Sequence, residues 1–176
     1  MSKNNRVKAV TGLVRFANVH IYEPISPTAG VTPKYSITLI ISKSDSKTID
    51  CVNDACSQVK ELNLNIFNNK SAISLGLRDG DIDREGDPIY SKSYFLNASS
   101  TEKPGIVDVD LNPLIQRNDL YGGCYGRVSI TFYAYSAGGR SGIAAGLNNI
   151  QKLQEGEIIP DQEINCEFRD GAMRYV

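Results

Sequence analysis

The stretch Tyr125-Gly126-Arg127-Val128-Ser129-Ile130-Thr131-Phe132-Tyr133-Ala134-Tyr135 holds the side chains with the most chemistry to offer. Read with the two-residue period of a strand, it splits into two faces. Val128, Ile130, Phe132 and Ala134 make an apolar face suited to a core, while Tyr125, Arg127, Ser129, Thr131, Tyr133 and Tyr135 share the other. Three tyrosines and an arginine are unusual on a strand whose opposite face already fills a core. A tyrosine ring is a flat platform on which a nucleobase can stack, worth about 1–3 kcal/mol per base, and arginine can pair with phosphate or stack on its own account. The competing reading is that a helix or loop covers these tyrosines.

A second candidate is Ser93-Tyr94-Phe95-Leu96-Asn97-Ala98-Ser99-Ser100-Thr101-Glu102-Lys103-Pro104-Gly105, where aromatics run into a polar loop carrying a lysine. Such a segment suits a strand that hands bases to a phosphate-holding turn. Only one of Tyr94 and Phe95 can face outward, and alternation alone leaves open which. Arg15, Lys34, Lys43 and Arg78 are further phosphate candidates, each competing with the plainer reading of a solvated surface charge. The chain totals −1, with 19 Lys and Arg against 20 Asp and Glu. The charge is unevenly spread: residues 1–60 carry eight basic against four acidic side chains, residues 61–120 six against ten, and residues 121–176 five against six. Phosphate binding needs a local positive groove and not a positive total, so a shaped site stays open while indiscriminate adhesion to duplex DNA is disfavoured.

Catalysis finds little support. His20 is the single histidine, which removes multi-histidine metal sites and ordinary histidine-based triads. The run Asp79, Asp81, Asp83, Glu85, Asp87 resembles a calcium loop at first sight. Its sixth position is Arg84 where glycine is needed, and its twelfth is Tyr90 where glutamate is needed, so a solvated acidic turn is expected. Asp108 and Asp110 lack a third acidic partner for a nuclease-type magnesium site. The glycines of Ala137-Gly138-Gly139-Arg140-Ser141-Gly142 lack the spacing of a phosphate-binding loop. Cys51, Cys56, Cys124 and Cys166 form no C-x-x-C pair and read as reduced, mostly buried thiols. Neither an enzyme nor a cofactor or metal requirement is expected.

The elements that must position these residues follow from periodicity. Residues 7–22 read as one strand with a bulge at Gly12. Pro24, Pro27 and Pro33 make the next stretch a loop. Tyr35, Ile37, Leu39 and Ile41 then alternate with Lys34, Ser36 and Thr38 as a strand. Ser44 or Asp45 caps a helix whose apolar residues Ile49, Val52, Ala55, Cys56, Val59 and Leu62 recur at three to four positions. Residues 63–70 read as loop and residues 78–88 as a polar, acidic, turn-rich insert. Strands are expected again over 93–98, 125–135 and 142–150, the last two joined by a turn at Gly138-Gly139. No apolar run is long enough to span a bilayer, and the polar start Met1-Ser2-Lys3-Asn4-Asn5-Arg6 lacks a signal core, so a cytosolic protein is expected. Five or so strands interrupted by one helix fit a mostly-β small barrel better than an α/β sandwich.

Several segments taken together resemble a known family: Val10-Thr11-Gly12-Leu13-Val14-Arg15-Phe16, Pro33-Lys34-Tyr35-Ser36 running to Ile41-Ser42-Lys43-Ser44-Asp45, and Leu77-Arg78-Asp79-Gly80-Asp81. Asn97-Ala98-Ser99, Lys103-Pro104-Gly105-Ile106-Val107-Asp108, Tyr121-Gly122-Gly123-Cys124-Tyr125-Gly126-Arg127 and Gly142-Ile143-Ala144-Ala145-Gly146-Leu147-Asn148-Asn149-Ile150-Gln151 belong to the same pattern. Over residues 7–155 the chain is similar to phage and prophage single-stranded-DNA-binding proteins with an OB-fold core. The resemblance implies an OB-fold-like five-stranded barrel with one main helix and long inserted loops, spanning residues 1–155 ahead of a C-terminal extension, 156–176. It implies the coating and protection of single strands during DNA replication or recombination, in the cytoplasm of a bacterial host. Partners would be single-stranded DNA, and phage or host replication and recombination proteins, with self-association into a homo-oligomer compatible and no membrane involved. One departure stands out: the tail mixes Asp161, Glu163, Glu167 and Asp170 with Arg169 and Arg174, where many such proteins end in a strongly acidic, partner-recruiting tail. The alternative function is a non-catalytic module that docks a replication or recombination enzyme, since exposed tyrosines also favour protein interfaces.

Overall fold

In the computed structural model, which describes residues 5–26, 28–67, 76–137 and 139–160, the alternating segment becomes the long strand β7 (Tyr125–Ala137). Val128, Ile130, Phe132 and Ala134 are buried as their spacing requires. β7 turns back at Gly139, whose φ is 78°, and pairs antiparallel along its length with β8 (Arg140–Gln154). Gly138, the other half of the expected turn, lies outside the described residues.

Five strands close into a ring. β2 (Val14–Ile25) pairs with β3 (Lys34–Ser42), β3 with β5 (Ser93–Ser100), β5 with β8 in parallel, β8 with β7, and β7 back onto β2. This is the OB-like five-stranded barrel, and its closure removes the free edges an open sheet would present. Three short strands extend it: β1 (Val7–Val10) on β7, β4 (Arg78–Asp79) on β5, and β6 (Gly105–Val107) on β8. Inward residues of the ring, among them Phe16, Ile37, Leu39, Ile41, Leu96, Ile130, Phe132 and Ile150, form one core. Each fully buried side chain of this size contributes about 1.5–3 kcal/mol through removal of apolar area from water.

The main helix, α1 (Ser46–Leu62), starts where the Asp45 carboxylate accepts from the Thr48 amide at 3.2 Å. Its buried stripe of Val52, Ala55, Cys56 and Val59 packs towards β1 and β7. Burial pushes the Cys56 thiol up to about 11, in keeping with an inert, reduced side chain.

The sequence-based expectations differ from this architecture in several places. The first strand is two, β1 and β2, because Thr11 takes over the contact with Val128: its amide donates to the Val128 carbonyl at 3.0 Å, and its hydroxyl accepts from the Val128 amide at 3.0 Å. β2 runs on through Pro24 to Ile25 and carries its own irregularity at Asn18, where φ is 46°. The stretch expected as loop after α1 holds one further helical turn, α2 (Leu64–Phe67), anchored by buried Phe67; residues 68–70 lie outside the described residues. The acidic insert is not a plain turn. It forms β4 and the short helix α3 (Gly80–Asp83), capped by Asp79. Of the C-terminal extension, residues 156–160 are described; residues 161–176, with Cys166, lie outside. Among the described residues, no helix is long and apolar enough to cross a membrane.

Candidate nucleic-acid interface

The registers of the ring place one outward residue from each strand in a line. His20 is opposite Ser36, Ser36 opposite Ser99, Ser99 beside Gly146, Gly146 opposite Thr131, and Thr131 opposite Lys8. Outward facing follows from their neighbours: Ile37, Ala98, Ala145, Leu147, Ile130 and Phe132 all point into the core. At roughly 4.8 Å between strands, the row spans about 24 Å across the barrel wall. Its middle consists of small polar side chains or none, which makes it a floor and not a ridge.

Hydrogen bonds fix that floor on both sides. Thr38 Oγ1 donates to Asn97 Oδ1 at 2.7 Å and accepts from Asn18 Nδ2 at 3.2 Å. Across the barrel, Asn148 Nδ2 donates to Thr131 Oγ1 at 2.8 Å. Gly146 leaves the floor bare beside Tyr133: a Cβ there would stand 3.6 Å from Tyr133 Cε1 and 3.3 Å from the Thr131 carbonyl oxygen.

Around Gly146 lies an open concavity of about 340 Å³ lined by Arg6, Lys34, Ser99, Thr131, Tyr133 and Asn148. The Arg6 guanidinium sits 5.5 Å from the centre of the half-buried Tyr133 ring. Arg6, Lys8 and Lys34 are all exposed, and none has a carboxylate partner among the described residues. An aromatic ring, a polar floor and bordering cations can hold a base by stacking and its phosphates by charge.

Of the residues singled out in the sequence, Lys34 and Tyr133 meet in this concavity. Tyr135 continues the outer face of β7 opposite Gly142, and exposed Arg127 lies further down the same face, its Nε donating to the Thr11 carbonyl at 3.1 Å. Tyr125 and Arg15 share that side of the barrel and are half-buried, as Tyr133 is. Arg15 stacks 5.6 Å from the Tyr125 ring centre and donates to the Glu157 carbonyl at 2.9 Å and to the Gly123 carbonyl at 3.3 Å. The segment 155–159 thus lies across both, and a Cβ on Gly156 would come within 2.9 Å of Tyr125 Cε2.

Lys43, Arg78, Tyr94 and Phe95 stand apart from the row. Leu96 and Ala98 face the core, so Phe95 is the outward residue of its pair. It is nevertheless 1% exposed, packed with Ala17 and Ile40 and edge-on to Tyr90 at 5.2 Å. Its expected stacking role is corrected accordingly, because the insert closes over its ring. Lys43 is held by Asp79 at 2.8 Å and Asp81 at 2.7 Å, with its ammonium 5.2 Å from the Tyr94 ring centre. The hydrogen bonds from Asp79 and Asp81 hold Lys43 above the usual lysine value, and the Lys43 ammonium holds Asp81 below the usual carboxylate range. Arg78 pairs with Asp83 at 3.1 Å. These cations already have anions and serve to attach the acidic insert.

Lys103 lies elsewhere again, its ammonium 5.9 Å from the Tyr22 ring centre. Arg6, Ser99, Gly146 and Asn148 were not singled out in the sequence as ligand contacts. The signal that joins them is the pairing register, which no local pattern contains.

The family model described as "Enterobacter phage Enc34, ssDNA-binding protein" matches residues 7–171. Among solved structures, a single-stranded DNA-binding protein from bacteriophage Enc34, in complex with ssDNA, superposes with a TM-score of 0.74 at 24% identity, covering 90% of this chain and 91% of that one. The uncomplexed Enc34 protein gives 0.72 at 22% identity, covering 94% and 90%. The single-stranded DNA-binding protein gp2.5 encoded by bacteriophage T7 gives 0.63 at 9% identity, covering 97% and 100%. No curated protein matches the sequence.

Proposed function

The chain belongs to the phage single-stranded-DNA-binding protein family typified by Enterobacter phage Enc34, and from that membership we propose that it binds single-stranded DNA across the outer wall of its barrel. The observation that carries the reading is the bare floor at Gly146, bordered by the Tyr133 ring and by Arg6 and Lys34, which have no carboxylate partner among the described residues. A base lies flat against Tyr133 while its flanking phosphates meet the two cations. The floor's side chains are too short to demand one base edge, so binding tolerates sequence. The protein coats exposed strands during replication or recombination in the bacterial cytoplasm, and acts by binding without covalent chemistry.

The test is oligo-dT titration by fluorescence anisotropy. Tyr133→Ala removes one stacking platform worth about 1–3 kcal/mol, a loss of roughly 5- to 140-fold in affinity. Tyr133→Phe keeps the ring and retains most of the binding. Wild-type affinity in the alanine variant, with an unchanged melting temperature, would remove Tyr133 from the site.

A further inference from the structure

At the His20 end of the row, opposite Tyr133, the wall has a second concavity, about 360 Å³, bordered by His20, Tyr22, Ile25, Arg117, Tyr121 and Ile159. His20 belongs to both features: it is the last residue of the row, opposite Ser36, and it borders this second hollow. We propose that this concavity is a second nucleotide subsite for the same DNA strand, in which the half-buried rings of Tyr22 and Tyr121 receive a base and Lys103 and Arg117 receive its phosphates. The inference rests on the single-strand-binding reading and extends it to residues at the opposite end of the row.

The chemistry repeats that of the first concavity. Lys103 has its ammonium 5.9 Å from the Tyr22 ring centre, as Arg6 stands over Tyr133. Arg117 is bonded to Glu23, but both side chains are about two-thirds exposed, at 67% and 68%. A pair so open to water is held weakly, so a phosphate can take over the guanidinium at little cost. Backbone comes close as well, since Gly122 also borders the hollow and its carbonyl accepts from the Ile159 amide at 2.8 Å, fixing that rim. From Thr131 to His20 the row crosses four strand spacings, about 19 Å. That separation calls for several nucleotides, in keeping with footprints of roughly 4–16 nucleotides per OB-type domain. Ser36 and Ser99 supply the low floor between the two hollows, so nothing on the row obstructs a strand running from one to the other.

The experiment compares log-affinity against log-salt for oligo-dT in the wild type and four variants. Lys103→Gln combined with Arg117→Gln alters only exposed side chains, and should lower the slope by about 1.4 for two lost phosphate contacts. Tyr22→Ala should weaken binding at least about fivefold, with Tyr22→Phe restoring it. Arg6→Gln with Lys34→Gln reports the first concavity independently. A slope that drops only in this last variant, with Tyr22→Ala binding like wild type, overturns the second subsite and leaves the first intact. Should Tyr22→Phe fail to rescue a weakened Tyr22→Ala, or should Tyr22→Ala lower the melting temperature along with the affinity, binding does not depend on stacking at this ring and the subsite is likewise overturned. If the wild type binds no oligo-dT, the functional reading itself fails.

Discussion

Replacing Arg6 and Lys34 together by glutamine removes two of the three cations that border the row without a carboxylate partner among the described residues. Both side chains are exposed, so folding should be untouched. If each contacts one phosphate, the log–log salt slope for oligo-dT becomes shallower by about 1.4. Between 50 and 200 mM salt, the wild type then loses about sevenfold more affinity than the double variant. Lys43→Gln is the matched control. Its ammonium is already bonded to Asp79 and Asp81, so deleting it releases no DNA counterion and leaves the slope as it was. The measurement is an anisotropy titration at four or more salt concentrations, with the melting temperature recorded for each protein. Equal slopes in the wild type and the Arg6/Lys34 variant would refute the assignment of phosphates to this concavity. A drop in Lys43→Gln as large as in the double variant would refute it too, since general charge and not position would then govern binding.

Two further outcomes follow from the same geometry. Gly146→Val fills the floor beside Tyr133 and should cut oligo-dT affinity by about tenfold or more, the equivalent of losing one stacked base, with the melting temperature recorded because a Cβ there meets the Thr131 carbonyl oxygen at 3.3 Å; preserved affinity would show that the DNA path avoids this spot. Asp81 is held below the usual carboxylate range first by the Lys43 hydrogen bond and then by the Lys92 amide, which donates to it at 2.9 Å. A depressed carboxylate contributes stability above its unfolded value and loses it as pH falls through its folded one, so attachment of the acidic insert should weaken below about pH 4. The protection factor of the Lys92 amide, corrected for the intrinsic pH dependence of exchange, should fall there in the wild type, and Asp81→Asn should abolish that acid dependence.

The sequence made the two faces of β7 legible because burial on one side forces strict alternation, and Val128, Ile130, Phe132 and Ala134 obey it. The helix was equally plain, since capping by Asp45 and the Val52–Val59 spacing are local. What covers a ring is a different matter. Tyr125 and Tyr133 are equivalent in the strand pattern, yet only Tyr125 lies beneath the segment 155–159, a contact between distant parts of the chain. The same holds for Phe95, which alternation puts outside and the insert then covers. Lys43 and Arg78 read as free phosphate ligands until folding brings Asp79, Asp81 and Asp83 against them. The row from His20 to Lys8 depends on five registers at once, none of which is encoded in any single strand.

The parallel contact between β5 and β8 gives the site a timetable. Ala98 and Ala145 are neighbours although the β6–β7 connection and the whole of β7 lie between them in the chain. Closing so long a loop carries an entropic cost, so ring closure is expected late in folding. Ser99 and Gly146, the centre of the floor, are brought together by that same event. A chain still emerging from the ribosome therefore has its aromatic side chains but no floor to seat a base.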